Sequence, residues 1–220
     1  MVLTSIGEVG INSGDKTFVL RPLLANIAKL GSPVEIVQLF HYVMNGIDAS
    51  TIRFSIHGEE IKNKKLTDYV SACVDVMWSC CDDDISHITG YRTDRGAVMG
   101  SMPIYEIIIL AQHLLAHGII GVQSENIQFG NSGGGSYETK FDPVATASLA
   151  MAHLSLSERD AWNMTMTSLL NALAVKYPPQ KNGKIDANNL PSKEQLEAEL
   201  KEHWDWHENI KAARLAQQGG

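Results

Sequence analysis

Cysteine is scarce in this chain: Cys73, Cys80 and Cys81 are the whole supply, an odd number with two of them adjacent. Neighbouring cysteines seldom bridge, so a disulfide framework of the secreted kind is excluded and a reducing cytoplasm fits. Positive charge is also in deficit, with 18 Lys and Arg against 25 Asp and Glu and a formal net charge of −7. Nucleic-acid binders present a basic face, and the one basic run here, Lys62, Lys64 and Lys65 beside Asn63, reads as a solvated loop. Long apolar runs are missing too. The most apolar stretch, Ile104 to Val122, is broken by Glu106, Gln112, His113 and His117, which makes it a buried helix rather than a bilayer span. The opening MVLTSIGEVGI has no basic start, no continuous apolar core and no cleavage signal, so it does not read as a secretory leader. Without such a leader the Asn163-Met164-Thr165 sequon carries no meaning.

Catalytic signatures are equally thin. The Gly130 to Ser136 run lacks the Gly-Lys-Ser/Thr ending that aims amides and a lysine at phosphates, and no serine occupies a Gly-x-Ser-x-Gly elbow. His113 and His117 stand four apart, a spacing at which two imidazoles can share a metal, but Leu114 occupies the place where a zinc protease needs its glutamate. The reading adopted is one buried histidine with a single hydrogen bond and another favoured by the helix end. His203 and His207 repeat the spacing inside HWDWH with no third ligand at fixed distance. Cys80, Cys81, Asp82, Asp83, Asp84 and His87 form the densest group of ligand-type residues. Side chains of helical neighbours diverge by about 100°, so Cys81 is expected in the core and the aspartates in solvent. No catalytic residue, no metal site and no cofactor is expected; a metal-dependent enzyme using these groups is the weakest of three alternatives.

What the chain does contain is helix signals. Short apolar stretches around Asn12-Ser13-Gly14-Asp15 predict an N-terminal β-hairpin over Val2 to Arg21. Pro22 opens a helix with Leu23, Leu24, Ile27 and Leu30 on one face and Gly31 as its stop. Ser32, Pro33 and Glu35 form a capping box, and the helix they start carries Val34, Val37, Leu39, Phe40 and Val43 up to Gly46. Ile52, Phe54 and Ile56 suggest a short strand before an exposed loop. From Thr67 a helix is expected with Tyr69, Val70, Cys73, Val74, Met77, Trp78 and Cys81 on its apolar face, stopping near Asp82 to Asp84. Pro103 begins the strongest helix, apolar on nearly every face and ended by Gly118. Asp142 and Pro143 start another that runs to about His153. Pro178-Pro179 then closes a body over residues 1–179. Residues 180–220 are expected to be a polar linker and a charged helix capped by Ser192 and Gln195, with Leu196, Leu200, Trp204, His207 and Lys211 as a thin stripe. The fold class expected is mainly α: a helical body with a small N-terminal β-hairpin and a C-terminal helical arm.

The most informative stretch is Leu154 to Tyr177. Ser157 with Asp160 can cap one short helix and Thr165 or Thr167 the next, giving helix, tight corner, helix, with Trp162, Met164 and Met166 presented together. Such residues are ordinary core material, but flexible thioethers beside an aromatic ring also make surfaces that adapt to varied apolar helices. The phrase LSLSERDAWNMTMTSLLNAL resembles a segment of the tail assembly chaperones of long-tailed bacteriophages and gene transfer agents, specifically over about residues 147–179. LGSPVEI, MPIYEIIILA, LLAHGIIG and AWNMTMT share the look of a family of phage proteins of unassigned function. The resemblance implies a non-catalytic protein of the host cytoplasm, absent from the mature virion. Such a protein would bind the tape-measure protein, keep it soluble and recruit the tail-tube protein, with no nucleic acid or membrane as partner and room for a homo-oligomer. Contact residues carried over are Trp162, Met164, Met166, Leu169 and Leu170 on the corner and Trp204 and Trp206 on the arm. A structural virion component, such as a tail terminator or head-tail connector, is the second alternative.

Overall fold

The structure, a computed structural model, describes residues 2–46, 60–61, 64–93, 96–122 and 139–178. The chain divides into two units, Met1–Pro179 and Gln180–Gly220. The expected C-terminal arm with Trp204, Trp206, His203 and His207, the Gly130 to Ser136 run and the strand at Ile52 to Ile56 lie outside the described residues.

The body is mainly helical and has the expected N-terminal hairpin, although a 3-10 turn, Thr4–Ile6, occupies the start of the expected range and the first strand begins only at Val9. Strands β1 (Val9–Ser13) and β2 (Lys16–Leu20) pair antiparallel, with Ser13 opposite Lys16 around Gly14-Asp15. Gly14 sits at φ 58°, the left-handed first corner that a two-residue hairpin turn demands and glycine supplies without strain. Ile11, Phe18 and Leu20 turn into the core. The strand then hands over to the body through the Arg21 amide, which donates to the Cys80 carbonyl at 2.7 Å. The helix expected from Pro22 is shorter than its apolar pattern implies: α1 covers only Leu24–Ile27, and a 3-10 turn, Ala28–Leu30, completes it. Leu23 is held extended by a bridge to Thr165, which delays the first helical turn.

Helix α2 (Pro33–Asn45) starts on the capping box read from sequence: Ser32 Oγ accepts from the Glu35 amide, and Glu35 Oε2 accepts from the Ser32 amide at 2.8 Å. These bonds hold the Glu35 carboxyl below the usual carboxylate range. Its inward face departs from expectation. Ile36 and Val43 are the buried residues, while Val34 is 49% exposed in the first turn.

Helix α3 (Lys64–Ser79) starts three residues earlier than expected, because Leu66 and Thr67 already face the core and Lys64 and Lys65 form its exposed first turn. Tyr69, Val70, Cys73, Val74 and Met77 are buried as the spacing predicts, with Val76 added. Trp78 is the correction: it is 41% exposed, its indole nitrogen donating to Thr89 Oγ1 at 2.9 Å, so it lies along the surface and not in the core. Near the end of α2, where carbonyls lose their intrahelical partners, Val43 O accepts from Tyr69 Oη at 2.8 Å and from Gln112 Nε2 at 3.1 Å.

A three-stranded antiparallel sheet, absent from the sequence expectation, is built from segments on both sides of α3. A four-residue helix α4 (Ser86–Thr89) leads into β4 (Gly90–Thr93) and β5 (Gly96–Met99), and β5 also pairs with β3 (Glu60–Ile61) in the order β3-β5-β4.

Helix α5 (Ile104–Leu115) packs against α3 as the central element, burying Ile104, Ile107, Ile108, Ala111, Leu114 and Leu115. Gly118 does not end it. The helix widens into a π-turn, Ala116–Ile120, and stops at Gly121. A β-carbon on Gly118 would stand 2.6 Å from Ile27 Cδ1 and 3.2 Å from Pro22 Cβ, so the glycine is there for close approach to the segment before and within α1. Helix α6 (Pro143–Leu154) opens on Asp142, whose Oδ1 accepts from the amides of Val144 and Ala145 at 2.9 and 3.2 Å. Helices α7 (Glu158–Trp162) and α8 (Met166–Lys176) complete the body. Among the described residues no helix is long and apolar enough to cross a membrane.

Candidate protein-binding site

The helix, corner, helix arrangement is built from the two caps. Ser157 Oγ accepts from the Asp160 amide at 3.2 Å, and Thr165, not Thr167, caps α8 by accepting from the Ser168 amide at 3.1 Å. The corner is anchored by backbone, since Met164 O accepts from the Leu24 amide at 2.8 Å and Thr165 bridges Leu23. These contacts tie Met164 and Thr165 to the start of α1.

Its side chains divide by burial. Trp162, Met164 and Met166 are half-buried and pack against the core with one face in reach of solvent. Leu169 is 1% exposed and fills the interior, so it supports the corner and presents nothing to a partner. Leu170 is half-buried against the backbone of Gly121, where a β-carbon would come within 2.6 Å of its Cδ1.

Met166 connects this corner to a feature that sequence spacing does not show. A groove of about 560 Å³ runs between α2, the π-turn and the start of α6, lined by Val37, Phe40, Ile119, Ile120, Phe141 and Met166. The Phe141 amide donates to Pro33 O at 2.9 Å, which pins the two walls together at one end. Ile120 is 54% exposed on the rim, and His41 and Lys140 add basic groups beside the apolar floor. A groove that open, with apolar side chains from separate elements and a thioether among them, can take the apolar stripe of a helix and adjust to its side chains. Phe141 had one local signal, its place just before the Asp142 cap, where a hydrophobic staple residue sits.

The other candidates resolve differently. His113 and His117 lie with ring centroids 4.5 Å apart and planes tilted by 47°. His117 is buried, its Nδ1 2.8 Å from Thr167 Oγ1, and burial followed by the neighbouring His113 lowers its pKa. His113 Nε2 has no hydrogen-bond partner among the described residues. In the Cys80 to His87 group, both thiols are buried while the aspartates and His87 face outward, Asp83 pairing with Lys16 at 2.9 Å. Burial pushes the thiols of Cys73 and Cys80 up to about 12. Among the described residues no group of three or more His, Cys, Asp or Glu could hold a metal ion.

The fold is thus a mainly helical body with an N-terminal hairpin and an apolar groove beside its Trp/Met corner. The family of unknown function DUF6246 matches residues 20–198, and the chain belongs to that family. No curated protein and no solved structure matches it.

Proposed function

We propose that this protein is a non-catalytic tail assembly chaperone of a long-tailed bacteriophage, holding the apolar stripe of the tape-measure protein in the groove beside its Trp/Met corner. The observation that carries the reading is the groove itself, about 560 Å³ and walled by Phe40, Ile120, Phe141 and Met166 from separate elements. The resemblance of LSLSERDAWNMTMTSLLNAL to that chaperone family points the same way. A tape measure is a long helical chain whose apolar stripe aggregates unless covered, and covering it takes many copies of a soluble partner. A net charge of −7 keeps such a complex dispersed. Contacts must also be released when tail-tube subunits arrive, which favours an open, adaptable groove over a closed pocket. The protein then works in the host cytoplasm and leaves no copy in the finished virion.

Co-expression with the tape-measure protein tests this reading. The wild-type chain should bring the tape measure into the soluble fraction and co-purify with it. Ile120→Asp, a change on the 54% exposed rim, should keep the fold and abolish co-purification. A tape measure that stays insoluble beside folded wild-type protein would overturn the reading, and so would an Ile120→Asp variant that binds as well as wild type.

A further inference from the structure

A second, smaller site lies between α3 and the three-stranded sheet, remote in sequence from the Trp/Met corner. The slot has a volume of about 70 Å³. That is roughly half of the ~150 Å³ that accommodates benzene, so it admits an unbranched chain and excludes a ring. Its floor is apolar, made by Val70, Val74 and Met99.

The polar groups around it divide into satisfied and unsatisfied ones. Trp78 Nε1 donates to Thr89 Oγ1, and that hydroxyl reaches the Ile85 and Gly90 carbonyls. Arg92 Nη2 lies 3.5 Å from Asp68 Oδ1. Ser71 is 8% exposed and its Oγ has no hydrogen-bond partner among the described residues. Asp75, one helical turn further along α3, is exposed and lines the slot, and among the described residues no hydrogen bond reaches its carboxylate. Residues four apart on a helix lie one above the other, so the hydroxyl and the carboxylate share one side of the slot. Asp75 and Arg92 are the charged residues in the lining; Arg92 is paired with Asp68, which lies outside it, and the rings of Trp78 and Tyr91 complete the wall.

We propose that this slot is a binding site for a primary alkylammonium group, the head of a partner's lysine side chain or of a free polyamine. The methylene stem lies along Val70, Val74 and Met99. The nitrogen has three donors to place, and the lining offers Ser71 Oγ, which has no hydrogen-bond partner among the described residues, and the Asp75 carboxylate as acceptors. Aromatic faces beside a cation add attraction that an anion or a neutral alcohol would not receive. Partial desolvation holds the Asp75 carboxyl above the usual carboxylate range, with the Arg92 charge opposing.

The test uses the full chain with ¹⁵N-labelled tryptophan, following the Trp78 indole resonance, assigned by its loss in Trp78→Phe. The probes are Nα-acetyl-lysine methylamide, 1,5-diaminopentane and sodium hexanoate. A saturable shift with an ammonium probe and none with hexanoate is expected. Asp75→Asn, at an exposed position, should weaken it by roughly tenfold or more, the scale of one charge-assisted hydrogen bond, with an unchanged melting temperature. Saturation by the lysine amide identifies a partner's lysine as the source; saturation by the diamine alone identifies a free polyamine. Absence of a saturable shift with both ammonium probes, an equal shift with hexanoate, or full affinity in folded Asp75→Asn would overturn the proposal.

Discussion

Replacing Gly118 by alanine probes how the end of α5, and with it one wall of the groove, is held in place. The added β-carbon would lie 2.6 Å from Cδ1 and 2.8 Å from Cγ1 of Ile27, both below the 3.0 Å that real Cβ contacts respect. Ile27 is 0% exposed, so its side chain has no solvent to swing into. In an open helix the same substitution stabilises by about 1 kcal/mol. Forcing a methyl group into a packed interior costs about 1–3 kcal/mol, and contacts this short belong to the upper part of that range. The net expectation is a loss of about 1–2 kcal/mol, a fall in Tm of roughly 2–8 °C for a body of this size. Ile27→Val removes the nearest clashing atom and alone costs about 0.5–1.5 kcal/mol. Because the two changes meet at one contact, the double variant should fall short of the summed losses by at least about 0.5 kcal/mol. Urea denaturation of wild type, both single variants and the double variant measures all four corners of the cycle. A Gly118→Ala protein that gains stability, or a cycle additive within about 0.3 kcal/mol, would refute the packing argument.

The remaining expectations concern the interior. His117 has a folded-state pKa below its ordinary 6.5, so the unfolded chain binds the proton more readily; its contribution is complete above about pH 6.5 and is lost as pH falls through the depressed value. Urea midpoints taken from roughly pH 8 to pH 5 should therefore decline, and His117→Asn should flatten the decline; an equally steep curve in that variant would assign it elsewhere. Thr167→Val removes the partner of His117 Nδ1 and of the Val122 amide at a 1% exposed position, and should cost about 2–4 kcal/mol by denaturation, whereas a loss well under 1 kcal/mol would mean the hydroxyl is dispensable. Cys73 and Cys80, 0% and 1% exposed with thiols pushed up to about 12, should resist a thiol reagent in the native protein and react in urea; rapid native labelling of either would contradict their burial.

Features written within one helical turn were legible in the sequence, and features assembled across it were not. Ser32 with Glu35, Asp142 with Pro143, Ser157 and Thr165 all cap helices where the local pattern places them, because a cap bonds an amide only two or three residues away. The hairpin was readable for the same reason, its turn lying between adjacent strands. Gly118 misled because a glycine after an apolar helix ordinarily stops it; here its role depends on Pro22 and Ile27, distant in sequence. The sheet escaped notice because no strand in it exceeds four residues and β3 pairs with β5 across the length of α3. Trp78 has the spacing of a core residue and lies on the surface because Thr89, from the element that follows, offers its indole a partner. For the site, Met166 was readable from the AWNMTMT phrase, but Ile119, Ile120 and Phe141 become neighbours only once the π-turn and the start of α6 are folded against α2.

The most direct measurement of the central claim is photo-crosslinking from the groove. A benzophenone amino acid at Ile120, on the groove rim, should form adducts with co-expressed tape-measure protein, while the same group at Val175, 78% exposed on α8 and not among the groove's lining residues, should form few. Equal adducts at both positions, or none at Ile120 in a complex that co-purifies, would place the contact elsewhere and contradict docking in the groove.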